Sequence, residues 1–526
     1  MTSTGHEWWR GAVLYQIYPR SFRDSNADGI GDLRGVEDKL DHVASLGVDG
    51  IWLSPFFTSP MKDFGYDVSD FRGVDPIFGS MDDFKALLTA CHARNLKVII
   101  DQVYSHTSDA HPWFRESAAS RTGPQADWYV WADPKPDGGP PNNWLARFGG
   151  YAWEWSPVRR QYYLHNFLIE QPDLNLHDPR VQEEVLDTMR FWFDLGVDGL
   201  RLDVANFFMH DPQLRDNPPA GLREVPINPY YCQAHVYDRS RPENLPFLAR
   251  MRAVADAAGQ KMLLAEISCD RQVERMAEYA SSGRLHTAYS FELLGPCLDG
   301  AHIARTVEQA SAGEAWPSWS FSNHDVVRVA SRWAADGNPS RIRLLQALLL
   351  CLRGSVILYQ GEELGLPHSD VPYGRLRDPE AIKFWPNHRG RDGARTPMPW
   401  ESKGESLGFS DLDGWLPAEQ RHAALSVAAQ NADPASMLAH CRQMLELRRS
   451  SSALRLGTFE RVEAEATSLV FRRCLAGDVV LCGFNFGTVP RPIAARGQIL
   501  AGATREGFLD PNGYVVMAIR HGEALS

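Results

Sequence analysis

Eight short runs of β-branched, aromatic and aliphatic residues recur along the chain, and stretches with helical periodicity separate them. Two of the helical patterns begin at Met81 and Arg180, and the second stops before Gly196, a C-cap signal. Regular alternation of strand and helix patterns favours βα units around a parallel sheet, and eight strands are the number that closes such a sheet. The predicted fold class is therefore α/β, a (β/α)8 TIM barrel. The runs begin at Ala12, Asp49, Lys97, Gly199, Lys261, Thr287, Ser318 and Ser355.

The spacing of the runs also predicts attachments to this barrel. The gap between the third and fourth runs is too long for one loop and one helix, so residues 106–172 are predicted to form an inserted lobe, domain B. The barrel, domain A, would occupy residues 1–105 and 173–451, including a long Pro-, Gly- and Arg-rich excursion at about 362–430 after the eighth strand. Short strand patterns with Gly turns predict a C-terminal all-β domain over 452–526.

Charge and composition exclude several classes of function. The formal net charge of −12 argues against a nucleic-acid or anionic-membrane surface, since both attract basic patches. The eight cysteines form no CxxC motif and no zinc-like cluster. The first residues lack the pattern of a signal peptide, and no apolar run reaches the length of a membrane span. We therefore expect a cytoplasmic protein with no nucleic-acid or membrane partner.

Carboxylates stand where three of the strand patterns end. Asp203 follows GLRL, Glu266 lies near the end of KMLLAEI, and His324 and Asp325 end SWSFSNHD. Because the carboxyl ends of parallel strands meet at one end of a barrel, these side chains should share one pocket. Two carboxylates on neighbouring strands are the groups that cleave glycosidic bonds. Arg201, on the same strand face as Asp203, can keep that carboxylate ionised.

Several longer motifs occur in one order along the whole chain. They include LYQIYPRSFRDSNADGIGDLRG, DFGYDVSDF, DQVYSHTSD, GLRLDVANF, LLAEI, FSNHD, YQGEELG and RDGARTPMPW. On these motifs the chain resembles the α-amylase superfamily, glycoside hydrolase family 13, and within it the oligo-1,6-glucosidase and α-glucosidase group. The segments DQVYSHTSDAHPWF, RPENLPFL and GRDGARTPMPW are similar to bacterial α-glucosidases that act on maltose-sized substrates and transfer glucose to alcohols or phenols.

This resemblance implies a retaining, exo-acting α-glucosidase with no organic cofactor. Asp203 would be the nucleophile that forms a glucosyl-enzyme ester, and Glu266 the general acid and base. Asp325 would bind the hydroxyls of the distorted glucose ring. The implied partners are a maltose-like oligosaccharide and an acceptor alcohol, with the enzyme a monomer or a homodimer.

The resemblance also implies a set of substrate-binding residues. His106 and His324 would hydrogen-bond sugar hydroxyls, Tyr66 would stack on the terminal glucose, and Arg201 would support the nucleophile. Asp63 and Arg391 would close the pocket behind that glucose, with Arg395 as the alternative partner of Asp63. The remaining candidates are aromatic wall residues, for which core packing is the competing interpretation: Phe148, Phe167 and Phe291.

The segment DSNADGIGD begins like an EF-hand loop, with oxygen side chains at alternate positions and Gly at the sixth. Gly35 occupies the twelfth position, where an EF-hand has glutamate, so a simple turn is the competing interpretation. The resemblance implies a structural Ca²⁺ or Mg²⁺ ion. Its ligands would be Asp24, Asn26, Asp28, Asp32 and the Ile30 carbonyl.

Some alternatives stay open on the sequence. Val204, beside the proposed nucleophile, accompanies α-1,6 preference in related enzymes, whereas the wider motifs favour α-1,4. An isomaltase or a sucrose- or trehalose-active enzyme could share every motif. A different class, catalytically inactive subunits of transporters, loses the carboxylates that this chain retains at Asp203, Glu266 and Asp325.

Overall fold

A computed structural model describes residues 7–493 and 496–519 of the chain. The outermost residues of the predicted domains 1–105 and 452–526 therefore lie outside the described part. The strands, in chain order, are β1 Val13–Ile17, β2 Gly50–Leu53, β3 Lys97–Gln102, β4 Trp131–Ala132, β5 Trp153–Ser156, β6 Gln161–Leu164, β7 Gly199–Leu202, β8 Met262–Ile267, β9 Thr287–Ser290, β10 Ser318–Ser320, β11 Ser355–Tyr359, β12 Glu460–Glu465, β13 Ser468–Leu475, β14 Asp478–Asn485, β15 Arg491–Pro492, β16 Gln498–Gly502, β17 Phe508–Leu509 and β18 Tyr514–Ile519.

Eight parallel strands form one sheet in the order β10-β11-β1-β2-β3-β7-β8-β9. Its two outer strands approach each other through a parallel bridge between Ala288 and Pro317, so the sheet is nearly closed. All eight predicted strands are present, and the predicted barrel is confirmed. The strands are short and buried on both faces, as expected when helices cover the outside and side chains fill the inside.

Side chains from several strands fill the inside of the barrel. Leu14, Trp52, Ile99, Leu264 and Ile357 pack there in one apolar cluster. This layer fills the interior, so the barrel has no central channel and a ligand can bind only at its ends.

Helices alternate with the barrel strands and cover the outer face. The longest, α5, runs to Leu195 and ends at Gly196, whose φ of 110° is the left-handed conformation that favours glycine. In the described residues the α-helices are α1 Leu33–Asp38, α2 Leu40–Leu46, α3 Met81–Ala93, α4 Pro112–Ala119, α5 Pro179–Leu195, α6 Asn244–Ala257, α7 Gln272–Tyr279, α8 Gly300–Ala310, α9 Val329–Arg332, α10 Pro339–Cys351, α11 Pro379–Phe384, α12 Val427–Asn431, α13 Met437–Ser450 and α14 Ser452–Leu456. Short 3-10 helices lie at Pro19–Ser21, Ala205–Phe207, Pro229–Cys232, Phe291–Leu294, Tyr373–Arg375, Asp392–Ala394 and Gln420–Leu425.

Three smaller sheets accompany the barrel in the described residues, and the smallest pairs only β15 with β17. Strands β4, β6 and β5 form an antiparallel sheet inside the segment 106–172, which we predicted to be an inserted lobe. Strands β12, β13, β14, β18 and β16 form a five-stranded antiparallel sheet near the C-terminus, as expected for the all-β domain. The exact domain boundaries stay predictions. No helix in residues 7–493 and 496–519 is long and apolar enough to cross a membrane.

A buried arginine connects the C-terminal sheet to the barrel. Arg473 of β13 is fully buried and donates to three carbonyl groups: Cys351, at the end of α10, at 2.7 Å, Thr458 at 2.9 Å and Gly457 at 3.0 Å. Buried carbonyls that lose their donor are left unsatisfied, which costs more than the bond itself contributes. Arg473 should therefore stabilise the contact between the sheet and the barrel.

We predict that Arg473→Met lowers the free energy of unfolding by ~3 kcal/mol, because it leaves the buried carbonyls of Cys351 and Gly457 and the partly buried carbonyl of Thr458 without this donor. Chemical denaturation would measure this loss. Arg472→Met is the matched control, since the neighbouring side chain makes one half-exposed ion pair with Glu460 at 3.4 Å and should contribute under about 1 kcal/mol. Equal effects of the two substitutions would contradict the role of Arg473.

Candidate active site

The predicted catalytic carboxylates lie at one end of the barrel. Asp203 follows β7 directly, Glu266 is the fifth residue of β8, and Asp325 lies five residues beyond β10. Strands β7 and β8 are hydrogen-bonded neighbours, with Leu202 paired to Ala265, so the two carboxylates emerge side by side. Gly199 permits this close pairing, because a Cβ there would lie 2.7 Å from the Met262 carbonyl oxygen.

Arg201 joins the carboxylates into one cluster. Its Nη1 lies 2.6 Å from Oδ1 of both Asp101 and Asp203, and its Nη2 lies 2.6 Å from Oε2 of Glu266. Nη2 also donates to the Tyr289 hydroxyl at 2.9 Å, and that hydroxyl donates to Glu266 Oε1 at 2.9 Å. Arg201 itself is fully buried, beneath the floor of the cavity. One cation thus orients three acidic groups.

The charges in this cluster do not cancel. Burial raises the pKa of Asp101 to about 6, despite the opposing effect of Arg201. Burial also raises the pKa of Asp203 well above its ordinary value; Arg201 opposes this shift, while the negative charges of Glu266 and Asp101 add to it. Asp101 and Asp203 thus share one guanidinium, and their pKa values belong to the coupled pair rather than to either residue. A site that must both donate a proton and present a carboxylate needs this arrangement.

A hydrogen-bonded chain runs from the cluster to His324. The Tyr66 hydroxyl donates to Asp101 Oδ2 at 3.1 Å and lies 2.6 Å from Nε2 of His324. Gln16 Nε2 donates to Nδ1 of the same ring at 2.8 Å, so Nε2 carries the proton. Burial lowers the pKa of His324 to about 3, which makes it a neutral donor at working pH. The Tyr66 ring stacks on His324 with centroids 5.4 Å apart and 5° between planes.

A second group of charges closes one side of the cavity. Arg391 Nη2 lies 2.9 Å from Asp63 Oδ1 and 2.9 Å from Asp378 Oδ1, and its Nη1 lies 3.5 Å from Asp325 Oδ1. Arg395 contacts Asp325 at 2.7 Å and the His324 carbonyl at 2.8 Å. Arg391, and not Arg395, is therefore the residue that contacts Asp63. Burial works against ionisation of Asp325, but His324, Arg395 and Arg391 outweigh it and keep its pKa below the ordinary value.

The cavity above these residues has a volume of about 750 Å³, larger than one glucose ring needs. His106 lies on its wall, 3.1 Å from Gln171 Nε2, and burial lowers the pKa of His106 to about 4. Of the predicted catalytic and substrate-binding residues, all but Arg201 and His324 line the cavity: Asp63, Tyr66, His106, Phe148, Phe167, Asp203, Glu266, Phe291, Asp325 and Arg391. The three phenylalanines thus lie on its wall, and their contact with a sugar stays a prediction.

The sequence did not lead us to several residues that the structure brings to the site. Asp101 is one, and its signal was a carboxylate inside the apolar run KVIID. Gln171, which donates to Asp63 Oδ2 at 3.2 Å, is another. The others line the outer part of the cavity: Arg147, Phe207, Tyr230, Tyr231, Arg239, Asp270 and Glu380.

The candidate metal loop is held by its own hydrogen bonds. Asp24 Oδ1 accepts from the backbone N–H groups of Asn26 at 3.0 Å and Ala27 at 2.7 Å. Asp32 caps α1 by accepting from the Gly35 N–H at 2.7 Å. The oxygen donors are of the kind that Ca²⁺ and Mg²⁺ prefer. Within the described ranges, however, no three His, Cys, Asp or Glu side chains converge as a metal site would require.

Comparison with known proteins places this geometry in a family. The model of the alpha-amylase catalytic domain matches residues 16–457. The chain belongs to the α-amylase family. It is 53% identical over 493 residues to a probable alpha-glucosidase from Rhizobium meliloti (strain 1021), covering 91% of this chain and 89% of that protein. It is 35% identical over 519 residues to an oligo-1,6-glucosidase from Parageobacillus thermoglucosidasius, covering 91% of this chain and 90% of that protein.

A solved structure of this family superposes closely. The crystal structure of the alpha-glucosyl transfer enzyme XgtA matches with a TM-score of 0.94 and 51% identity, covering 98% of this chain and 99% of that chain. The resemblance inferred from the motifs is thereby confirmed for the α-amylase family. The roles of individual residues remain proposals that rest on the contacts described above.

We predict that Asp101→Asn moves the acid limb of the kcat/KM profile to lower pH, by about one unit. The Asp101 charge raises the pKa of Asp203, so its removal lets Asp203 stay ionised in more acidic solution. Asp198→Asn is the control, because Asp198 is a buried carboxylate that precedes β7 at the opposite end of the barrel. An acid limb that moves to higher pH, or that moves equally in both variants, would contradict this coupling.

Proposed function

We propose that the chain is a retaining, exo-acting α-glucosidase that releases α-glucose from the non-reducing end of short α-1,4-glucosides such as maltose. The Arg391–Asp63 contact at 2.9 Å supports this proposal best, because it closes the cavity beyond the catalytic cluster. A sugar chain cannot continue past a closed wall, so only a terminal glucose can occupy the inner subsite. The names of the relatives agree with glucoside cleavage and do not favour an inactive transporter subunit.

In the first step, Asp203 attacks the anomeric carbon while the glycosidic bond to the leaving sugar breaks. Glu266 gives its proton to the departing oxygen, and a glucosyl ester of Asp203 results. Arg201 stabilises Asp203 in the ionised, attacking form and also holds Glu266, so both groups keep a fixed relation to the bond. The Val204 N–H donates to Glu266 Oε2 at 3.1 Å and adds to that alignment.

In the second step, a hydroxyl group attacks the same carbon and releases Asp203. Its proton passes to Glu266, which restores the starting state; water gives hydrolysis, and an alcohol or phenol gives transfer. Asp325, kept ionised by its two arginines, accepts hydrogen bonds from ring hydroxyls. These bonds strengthen as positive charge develops on the ring in the transition state.

Cleavage of α-1,6 bonds is the second candidate function. Val204 lines the cavity directly beside Asp203, and its φ of 33° presents a branched side chain in the left-handed region. A rigid side chain at this point limits how the leaving sugar can lie, and so it bears on the linkage. The 35% identity with an oligo-1,6-glucosidase agrees with this alternative.

We predict that maltose is cleaved much faster than starch, because the inner subsite accepts one terminal glucose, and faster than isomaltose, sucrose or trehalose, because the wider motifs favour α-1,4 linkages. Parallel initial rates would measure this order, and proton NMR should show α-glucose as the first product. Asp203→Asn is the control for contaminating activity, since its amide cannot form the glucosyl ester. Faster cleavage of isomaltose would favour the second candidate function. β-Glucose as the first product would exclude double displacement. A rapid fall in the viscosity of starch would exclude the closed pocket.

We also propose a structural Ca²⁺ or Mg²⁺ ion in the loop Asp24–Asp32, supported by its oxygen-only donor set. Excess chelator should then lower the melting temperature, and Ca²⁺ or Mg²⁺ should restore it, because the folded state alone binds the ion. Asp28→Asn should weaken the restoration, since Asp28 is exposed and its loss removes only one charged donor. An unchanged melting curve, with no metal in elemental analysis, would leave the loop as a hydrogen-bonded turn.

A further inference from the structure

The outer part of the cavity contains two arginines that glucose cleavage does not require. Arg147 is neutralised, because its Nη1 lies 2.6 Å from Glu380 Oε1. Arg239 lies on the wall as well, and the residue is 5% exposed. Since a buried guanidinium is costly unless a carboxylate binds it, the surroundings of Arg239 decide what this wall can recognise.

Aromatic rings hold the Arg239 guanidinium in place. Its Cζ lies 5.3 Å from the ring centre of Phe207 and 5.6 Å from that of Tyr230, and Nη1 donates to the Tyr230 hydroxyl at 2.8 Å. Nε is buried without a hydrogen-bond partner among the described residues, so a ligand in the cavity can reach only Nη2, whose contact with Asp270 is 3.7 Å long. A guanidinium stacked on rings with such an N–H group is oriented to bind a carboxylate or a phosphate.

The carboxylates nearby do not satisfy this cation. Asp270 Oδ1 lies 3.7 Å from Nη2, beyond hydrogen-bond distance, and its side chain is 72% exposed. Asp238, the preceding residue, directs Oδ2 to His235 Nδ1 at 2.5 Å. Glu380 is bound by Arg147. Arg239 therefore keeps positive charge and donor capacity toward the cavity.

The position of Arg239 assigns it to the leaving-group side. Phe207 ends the short helix Ala205–Phe207 that follows the nucleophile, and Arg239 packs on that ring. Asp63 and Arg391 close the other side, where the terminal glucose ends. A group that touches Arg239 must therefore belong to the sugar or alcohol that leaves or accepts the glucosyl unit.

We propose that Arg239 binds an anionic group, a carboxylate or a phosphate, on the acceptor, and that hydroxylated anions are preferred glucosyl acceptors. The proposal rests on the function proposed above. The acceptor hydroxyl attacks the anomeric carbon, the ester bond to Asp203 breaks, and the hydroxyl proton passes to Glu266. The anion takes no part in these bonds. It orients the acceptor and increases the fraction of glucosyl-enzyme that has an acceptor bound.

Transfer from 4-nitrophenyl α-glucoside to matched acceptors tests this proposal. One pair is glycerol 3-phosphate and glycerol, and the other is 4-hydroxyphenylacetate and 2-(4-hydroxyphenyl)ethanol. Nitrophenol release measures total turnover, and chromatography of the new glucosides measures transfer. The wild type should favour the anion of at least one pair by about tenfold or more at low salt, less at high salt, and the pair affected identifies phosphate or carboxylate.

Three variants test whether Arg239 causes the preference for anionic acceptors. The ratio of anionic to neutral transfer should fall about tenfold in Arg239→Gln and rise in Asp270→Asn, which removes the competing exposed carboxylate. Arg241→Gln is the matched control, because Arg241 lies on the same loop with its own partners, Asp211 at 3.7 Å and Glu243 at 3.4 Å. The ratio should not change there. If Arg239→Gln fails to fold, Asp270→Asn still tests the proposal.

The outcomes separate the two proposals. Nitrophenol release without anionic preference in the wild type, or a preference that Arg239→Gln and Asp270→Asn leave unchanged, would overturn the role of Arg239 alone. Wild-type enzyme that neither releases nitrophenol nor cleaves maltose would overturn the glucosidase assignment, and the acceptor proposal with it.

Discussion

One guanidinium group holds the catalytic end of the barrel together. Arg201 contacts Asp101, Asp203 and Glu266, which come from three consecutive strands of the sheet, and all three distances are 2.6 Å. Burial of so many charges would be unfavourable without it, because each carboxylate would lose its hydration with no compensating partner. The barrel fixes the strands, and Arg201 fixes the directions of their terminal side chains. The spacing of Asp203 and Glu266 thus follows from strand pairing and one shared cation.

The closed side of the cavity depends on contacts between segments far apart in the chain. Asp63 follows the second barrel strand, Gln171 ends the predicted lobe, and Arg391 lies in the excursion after the eighth strand. None of these segments could position its side chain alone, because loops of this length lack a periodic structure of their own. The rigid barrel brings their ends together, and the ion pairs then determine the depth of the pocket. Under the proposed function, selectivity for chain ends would therefore come from the loops, and bond cleavage from the residues at the strand ends.

The sequence predicted the barrel well, because buried parallel strands are short apolar runs and eight of them alternate with helices. It also predicted that Asp203, Glu266 and Asp325 would lie at one end of the barrel, because each stands near the end of a strand pattern and their motifs follow the order of a known family. Asp101 was missed because KVIIDQV indicates only a strand, and only the tertiary contact with Arg201 brings Asp101 to the site. The choice between Arg391 and Arg395 also required coordinates, because the two lie four residues apart on one irregular segment.

Inner and outer parts of the cavity differ in how completely their charges are paired. In the inner part, each predicted arginine contacts at least one carboxylate within 3 Å, which leaves little freedom for change. In the outer part, Arg239 is held by aromatic rings and a phenol, and the exposed carboxylate of Asp270 lies 3.7 Å away. A substitution of an inner arginine would leave a buried carboxylate unpaired, whereas a substitution of Arg239 would break no ion pair within hydrogen-bond distance. Under the proposed function, acceptor recognition at Arg239 is therefore separable from the cleavage chemistry of the inner carboxylates.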